Sequence, residues 1–287
     1  MNSTLADLIG TAHRCGQPLI MGVVNVTPDS FSDGGLFEDA THAIRHGLAL
    51  LDEGADVLDI GGESTRPGAE PVSEPQELAR VLPVIQGLRQ RSSAPISIDT
   101  SKPAVMREAI LAGADMINDV RALREPGALE TAAEYAVPVC LMHMRGEPLT
   151  MQDQPTYSDV VAEQMAFFEE RIQTCLQAGL ARENLVIDPG FGFGKQLAHN
   201  LTLLHRLSEL NTLGYPVLAG LSRKSMLGHL TGREKANERA SASVAAALLA
   251  AQRGAAILRV HDVAETADAL KVWLALKRLD EDNGSLA

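Results

Sequence analysis

What this chain lacks narrows its class before any motif is read. It has only three cysteines, Cys15, Cys140 and Cys175, with no close pair among them. That excludes a disulfide framework, and free thiols in a reducing cytoplasm are expected. No run approaches the roughly 18 consecutive apolar residues of a membrane span. The first 17 residues also lack the apolar core of a signal peptide, so a cytoplasmic location is expected. Positive charge is scarce too: 25 Lys and Arg face 37 Asp and Glu, for a net charge of −12. Such a field repels nucleic acid and anionic membranes, so neither is an expected partner. A local cluster of Arg and Lys could still hold a small anion. No linker, charge block or sequence repeat divides the chain. One domain over 1–287 is therefore expected, with its body at about 18–280 behind a short extension, 1–17.

What is present is an alternation. Short apolar runs at Leu19–Val26, Asp56–Gly61, Pro95–Asp99, Asp115–Val120, Val137–His143, Leu185–Asp188, Pro216–Leu221 and Ala255–Val260 read as strands buried on both faces, as in a parallel sheet. Amphipathic segments separate most of them. Ser73, Pro75 and Gln76 spell a capping box with proline in the first turn, and Ser101 is expected to cap the next helix. Gly54, Gly113, Gly179, Gly214 and Gly254 stand where five helices should stop. A short helix is expected around Gly127–Tyr135. Eight strands alternating with helices close most simply as an α/β fold of the (β/α)₈ TIM-barrel type.

Nearly every strand ends on polar residues: Asn25, the Gly61–Arg66 turn, Asp99, Asn118 with Asp119, His143, Asp188, Ser222 to Lys224, and Arg259 with His261. Loops begin with polar residues in any protein. In a barrel, however, these ends converge on the one rim where active sites lie.

Two long stretches carry a resemblance. Residues 21–35, MGVVNVTPDSFSDGG, and 59–68, DIGGESTRPG, resemble the two signatures of the dihydropteroate synthase family. SIDT at 97–100, IND at 117–119, LMHM at 141–144, DPGFGFGK at 188–195, LSRKS at 221–225 and RVHDV at 259–263 follow in family order. The resemblance implies condensation of a 6-hydroxymethyl-dihydropterin diphosphate with p-aminobenzoate to give dihydropteroate and diphosphate. It also implies a homodimer, competition by sulfonamides, and Mg²⁺ at Asn25.

The residues suit those substrates. A pterin edge offers ring N–H and amino donors, so a carboxylate such as Asp188 suits it, with Asn118 and Asp99 completing the edge. Lys224 can donate to the ring carbonyl, and the resemblance implies that Met142 belongs to the same pocket. The diphosphate calls for cations, which Arg66, Arg259 and His261 supply beside Thr65 and Asn25. A single oxygen ligand completed by diphosphate and water is typical of Mg²⁺, and no Cys/His cluster suggests zinc. For the arylamine, Phe31, Pro67 and Phe193 are expected as walls, with Lys224 and Ser225 near its carboxylate. Since an aniline needs no deprotonation before attack, carbon–oxygen cleavage is the main barrier. Asn25, Thr65, Arg66, Asp99, Lys224, Arg259 and His261 are the expected catalytic group, with no covalent nucleophile. The Gly-rich loops at 33–35 and 61–68 are expected to close over the intermediate.

Three other readings compete. A pterin-dependent methyltransferase would have no use for diphosphate-binding cations. A non-catalytic paralogue is disfavoured by intact matches at every position. A Schiff-base aldolase needs a desolvated lysine, whereas Lys224 is flanked by Arg223 and serines. The dimer surface is expected on the small-residue helix 240–251, including Ala247, together with Val272, Trp273 and Leu274.

Overall fold

The computed structural model describes residues 4–26, 36–64, 70–146 and 155–284. Its strands are β1 (Leu19–Asn25), β2 (Val57–Gly61), β3 (Ile96–Asp99), β4 (Met116–Asp119), β5 (Val139–Met142), β6 (Leu185–Asp188), β7 (Leu218–Ala219) and β8 (Ile257–Val260). All pair in parallel, in the order β6-β5-β4-β3-β2-β1-β8-β7, and a bridge between Ile187 and Val217 joins the two ends. The sheet is thus closed into a (β/α)₈ barrel.

Around it run α2 (Leu36–Asp52), α3 (Glu74–Arg89), α4 (Pro103–Leu111), α5 (Ala128–Tyr135), α6 (Val160–Gln177), α7 (Leu197–His205), the short α8 (Leu207–Leu210), α9 (Ser225–Thr231), α10 (Ala240–Gln252) and α11 (Val263–Gly284). The five glycines expected to end helices all adopt positive φ. The Ser73 capping box forms with Gln76. Ser101, by contrast, caps nothing. Lys102 is the residue before α4, its N–H donates to Thr100 Oγ1 (3.2 Å), and the Ser101 hydroxyl instead donates to Asp119. To cap the helix that hydroxyl would have to accept an N–H of the first turn, and it is aimed at the Asp119 carboxylate instead.

Strand alternation sorts the side chains into two cores. Leu58, Ile60, Ile98, Ile117, Leu141, Ile187 and Leu258 face outward and bury themselves under the helices. Met21, Val57, Met116, Cys140, Val186, Leu218 and Ile257 face inward and fill the lower barrel. The same inner core takes in Leu5 and Ile9 of a helix that precedes the barrel, α1 (Leu5–Cys15). Thr4 and Asp7 cap its start reciprocally, and Gly16 ends it at a φ of 59°. The N-terminal segment is therefore a plug that closes the bottom mouth. Chemistry is left to the top.

Candidate active site at the upper mouth of the barrel

Further along most of the strands, two residues on or four in β1, the inward-facing side chains change from apolar to polar. Above Met21 and Val57 come Asn25 and Asp59; above Met116 comes Asn118, above Val186 Asp188, and above Ile257 Arg259. Met142 takes the equivalent place on β5 and packs with Met144 and Phe193 in a small apolar cluster.

The centre of this layer is an ion-pair cluster. Arg259 donates from Nε to Asp59 Oδ2 (2.6 Å) and from Nη2 to Asp99 Oδ2 (2.8 Å). Asn118 Nδ2 donates to the same Asp59 oxygen at 3.1 Å. Burial opposes the charge on Arg259, but the two carboxylates outweigh it and its pKa lies above the ordinary value. Burial raises the Asp99 pKa to about 7, with Arg259 pulling against it. Asp188 is also raised by burial, with the Gly190 N–H and Lys224 opposing. Its Oδ1 accepts from Gly190 at 2.7 Å.

The DPGFGFGK segment after β6 wraps around a buried ammonium. Lys195 Nζ donates to the carbonyls of Gly190 (2.9 Å), Phe193 (2.9 Å) and His143 (3.1 Å), and Asn200 Oδ1 accepts from the Gly192 N–H (2.8 Å). This holds Phe193 under Lys224, whose Nζ lies 4.1 Å from the ring centroid. Gly192, at a φ of 82°, has no side chain to obstruct the Lys224 stem; a Cβ there would lie 3.3 Å from Lys224 Cδ. Ser225 is exposed at the first position of α9. His261 places Nδ1 3.0 Å from Ser222 Oγ, and burial first and Arg259 second lower its pKa to about 3. Arg259 and His261 therefore have separate partners: Arg259 turns to Asp59 and Asp99, and His261 to Ser222 in the loop after β7.

The structure thus gathers Asn25, Asp99, Asn118, Met142, Asp188, Phe193, Lys224, Ser225, Arg259 and His261 at the strand ends or in the loops that follow them. Phe31, Thr65, Arg66 and Pro67 lie outside the described residues, as do most of the two Gly-rich loops. Asp59 and Lys195 were missed as site residues. The signal for Asp59 was a carboxylate in mid-strand, on the inward face two residues before Gly61. For Lys195 it was a lysine closing a glycine-rich turn that needs a donor at its centre.

The pterin-binding enzyme family model matches residues 21–261. The chain belongs to that family. The dihydropteroate synthase of Escherichia coli (strain K12) is 53% identical over 263 residues, covering 92% of this chain and 93% of that protein. The Xanthomonas albilineans dihydropteroate synthase with 4-aminobenzoic acid superposes with a TM-score of 0.87 at 59% identity, covering 91% of this chain and 93% of the other. The same organism's enzyme in complex with 7,8-dihydropteroate gives 0.83 at 56% identity, covering 91% and 94%. Among the described residues no helix is long and apolar enough to cross a membrane.

Proposed function

We propose that this chain is a dihydropteroate synthase, a transferase that joins the methylene carbon of a dihydropterin diphosphate to the amine of p-aminobenzoate. The observation that carries the reading is the polar layer itself. Buried acceptors, Asp188 and Asn118, and a half-buried arginine, Arg259, share one mouth of the barrel in a chain of this family. Asp188, Asn118 and Asp99 face a pterin's donor edge, Lys224 its carbonyl, and Met142 its ring. A buried site of this kind discriminates strongly, because a wrong ligand leaves polar groups unpaired. Arg259 and His261 take the diphosphate, joined by Thr65 and Arg66 of the second loop.

The place a Gly61 Cβ would fill lies 3.8 Å from Asn25 Oδ1 and 3.7 Å from Asp99 Oδ2. Asp99 Cβ closes the same place at 3.6 Å, so the fit rests on donor type: the Asn25 amide oxygen, completed by diphosphate and water, suits a hard divalent cation such as Mg²⁺. When bound, the ion would neutralise diphosphate charge. Phe193 and Lys224 offer a face and a cation to the arylamine, with Phe31 and Pro67 as further walls and Ser225 near its carboxylate.

The reaction in this reading needs no covalent intermediate on a side chain. Stabilising the departing diphosphate supplies most of the rate. Sulfonamides are expected to compete with p-aminobenzoate for that subsite. The chain acts in the cytoplasm as a homodimer. Mass-spectrometric detection of dihydropteroate formed from the two purified substrates tests the reading, and no product would end it.

A further inference from the structure

Asp59 is fully buried, and nothing in the reaction above uses it. Its Oδ2 accepts from two residues with different tasks, Asn118 Nδ2 at 3.1 Å and Arg259 Nε at 2.6 Å. Its Oδ1 is buried without a hydrogen-bond partner. We propose that Asp59 is a positioning residue that sets the Asn118 amide for the pterin edge and the Arg259 guanidinium for the leaving diphosphate. This rests on the dihydropteroate synthase reading.

The first half follows from donor and acceptor types. An ionised carboxylate only accepts, so the Asn118 amide must turn its NH₂ toward Asp59. The carbonyl Oδ1 then points away from Asp59 as the amide's acceptor, beside the second N–H of its NH₂. An acceptor is what the donor edge of a pterin requires. Without Asp59 the amide could turn either way, and half of its orientations would set an NH₂ against an N–H.

The second half follows from the geometry of a guanidinium. Asp59 takes Nε and Asp99 takes Nη2, on different atoms of one planar group, so its plane and reach are both fixed. Neither carboxylate takes Nη1. Asp99 is itself expected to turn to the pterin edge. When it does, Asp59 is the carboxylate that still holds Arg259. One oxygen thus links the pterin pocket to the leaving-group site.

The test uses the full-length enzyme. Wild type is first assayed for dihydropteroate, and absence of product defeats the functional reading rather than this one. Asp59→Asn keeps the volume and removes the charge. The expected result is about tenfold weaker binding of diphosphate-free hydroxymethylpterin by calorimetry and about a hundredfold lower kcat, the size of removing one preorganised group. The KM for p-aminobenzoate should stay within about twofold. Because Asp59 acts through its partners, the losses must be non-additive. Asp59→Asn with Arg259→Ala should be no slower than Arg259→Ala alone. Asp59→Asn with Asn118→Ala should bind pterin no more weakly than Asn118→Ala alone. Additive losses, or an Asp59→Asn enzyme within about twofold of wild type in both quantities, overturn the proposal. If Asp59→Asn does not fold, the wild type decides: its Arg259 Nε–H proton, identified by its loss in Arg259→Lys, should resist exchange with and without bound pterin. Fast exchange once pterin is bound overturns the proposal.

Discussion

His261 meets its substrate uncharged, since burial and the nearby Arg259 hold its imidazole at about 3. A bound diphosphate would raise that value, so binding should take up a proton wherever the pH lies between about 3 and the pKa in the complex. Affinity then falls as pH rises through the latter. Calorimetry at about pH 5.5 in two buffers of different ionisation enthalpy should show uptake that disappears in His261→Gln. Buffer-independent heats would remove His261 from the diphosphate. Asp188→Asn should retain the turn, because the amide oxygen can still accept from Gly190, yet weaken pterin binding by about 1.5–3 kcal/mol. An unchanged affinity measured by titration would exclude the role. At this scale the sequence was informative wherever a polar residue ended a strand. Its signal for Asp59 was ambiguous, because a carboxylate inside a strand can be told from a structural ion pair only once its partners, 59 and 200 positions away in sequence, are known.

Elements were legible where a pattern was long or a stop was chemical. All eight strands lie within their expected ranges, because parallel strands buried on both faces leave continuous apolar runs. Pro216–Leu221 nonetheless yields only Leu218–Ala219 as strand, with Val217 making a lone bridge to Ile187 at the closing seam. Ser101 misled because a capping hydroxyl and a hydroxyl committed to Asp119 look alike in sequence. The least legible element was α1. It carries no family signature, yet buries Leu5 and Ile9 in the lower barrel. Ile9 is 1% exposed, so Ile9→Ala should cost about 2–5 kcal/mol of stability. The site lies at the other mouth, so kcat at a temperature where the variant is folded should match wild type. Denaturant unfolding and turnover on the same preparation check both halves. A large kcat loss without destabilisation would mean that the plug communicates with the chemistry.

For the whole molecule, the open question is what covers the outside of α10 and α11. Small residues all round 240–251 suggested a partner helix against Ala247. The structure gives them a different use: Ala246, Ala247, Ala250 and Ala251 are buried in the chain's own core, where α10 packs on β8 and α11. Small side chains bring those neighbours close, so Ala247→Glu would test folding rather than association. Composition alone could not separate the two, because both uses demand small residues. Among the described residues of α10 and α11, the large apolar groups left in solvent are Val272, Leu276 and Leu279, 65%, 58% and 57% exposed, and Leu249 at 41%. Scattered exposed leucines are ordinary. These three α11 positions follow i, i+4 and i+7 spacing, one stripe along one helix, and an isologous two-fold contact would bury it against its own copy. Light scattering at micromolar concentration should therefore give twice the 30.6 kDa chain mass for wild type. Val272→Glu with Leu276→Glu should shift it to one chain mass and leave the circular-dichroism spectrum intact, because both side chains are already exposed. A monomeric wild type would end the dimer, and a variant that stays dimeric would move the interface off this stripe.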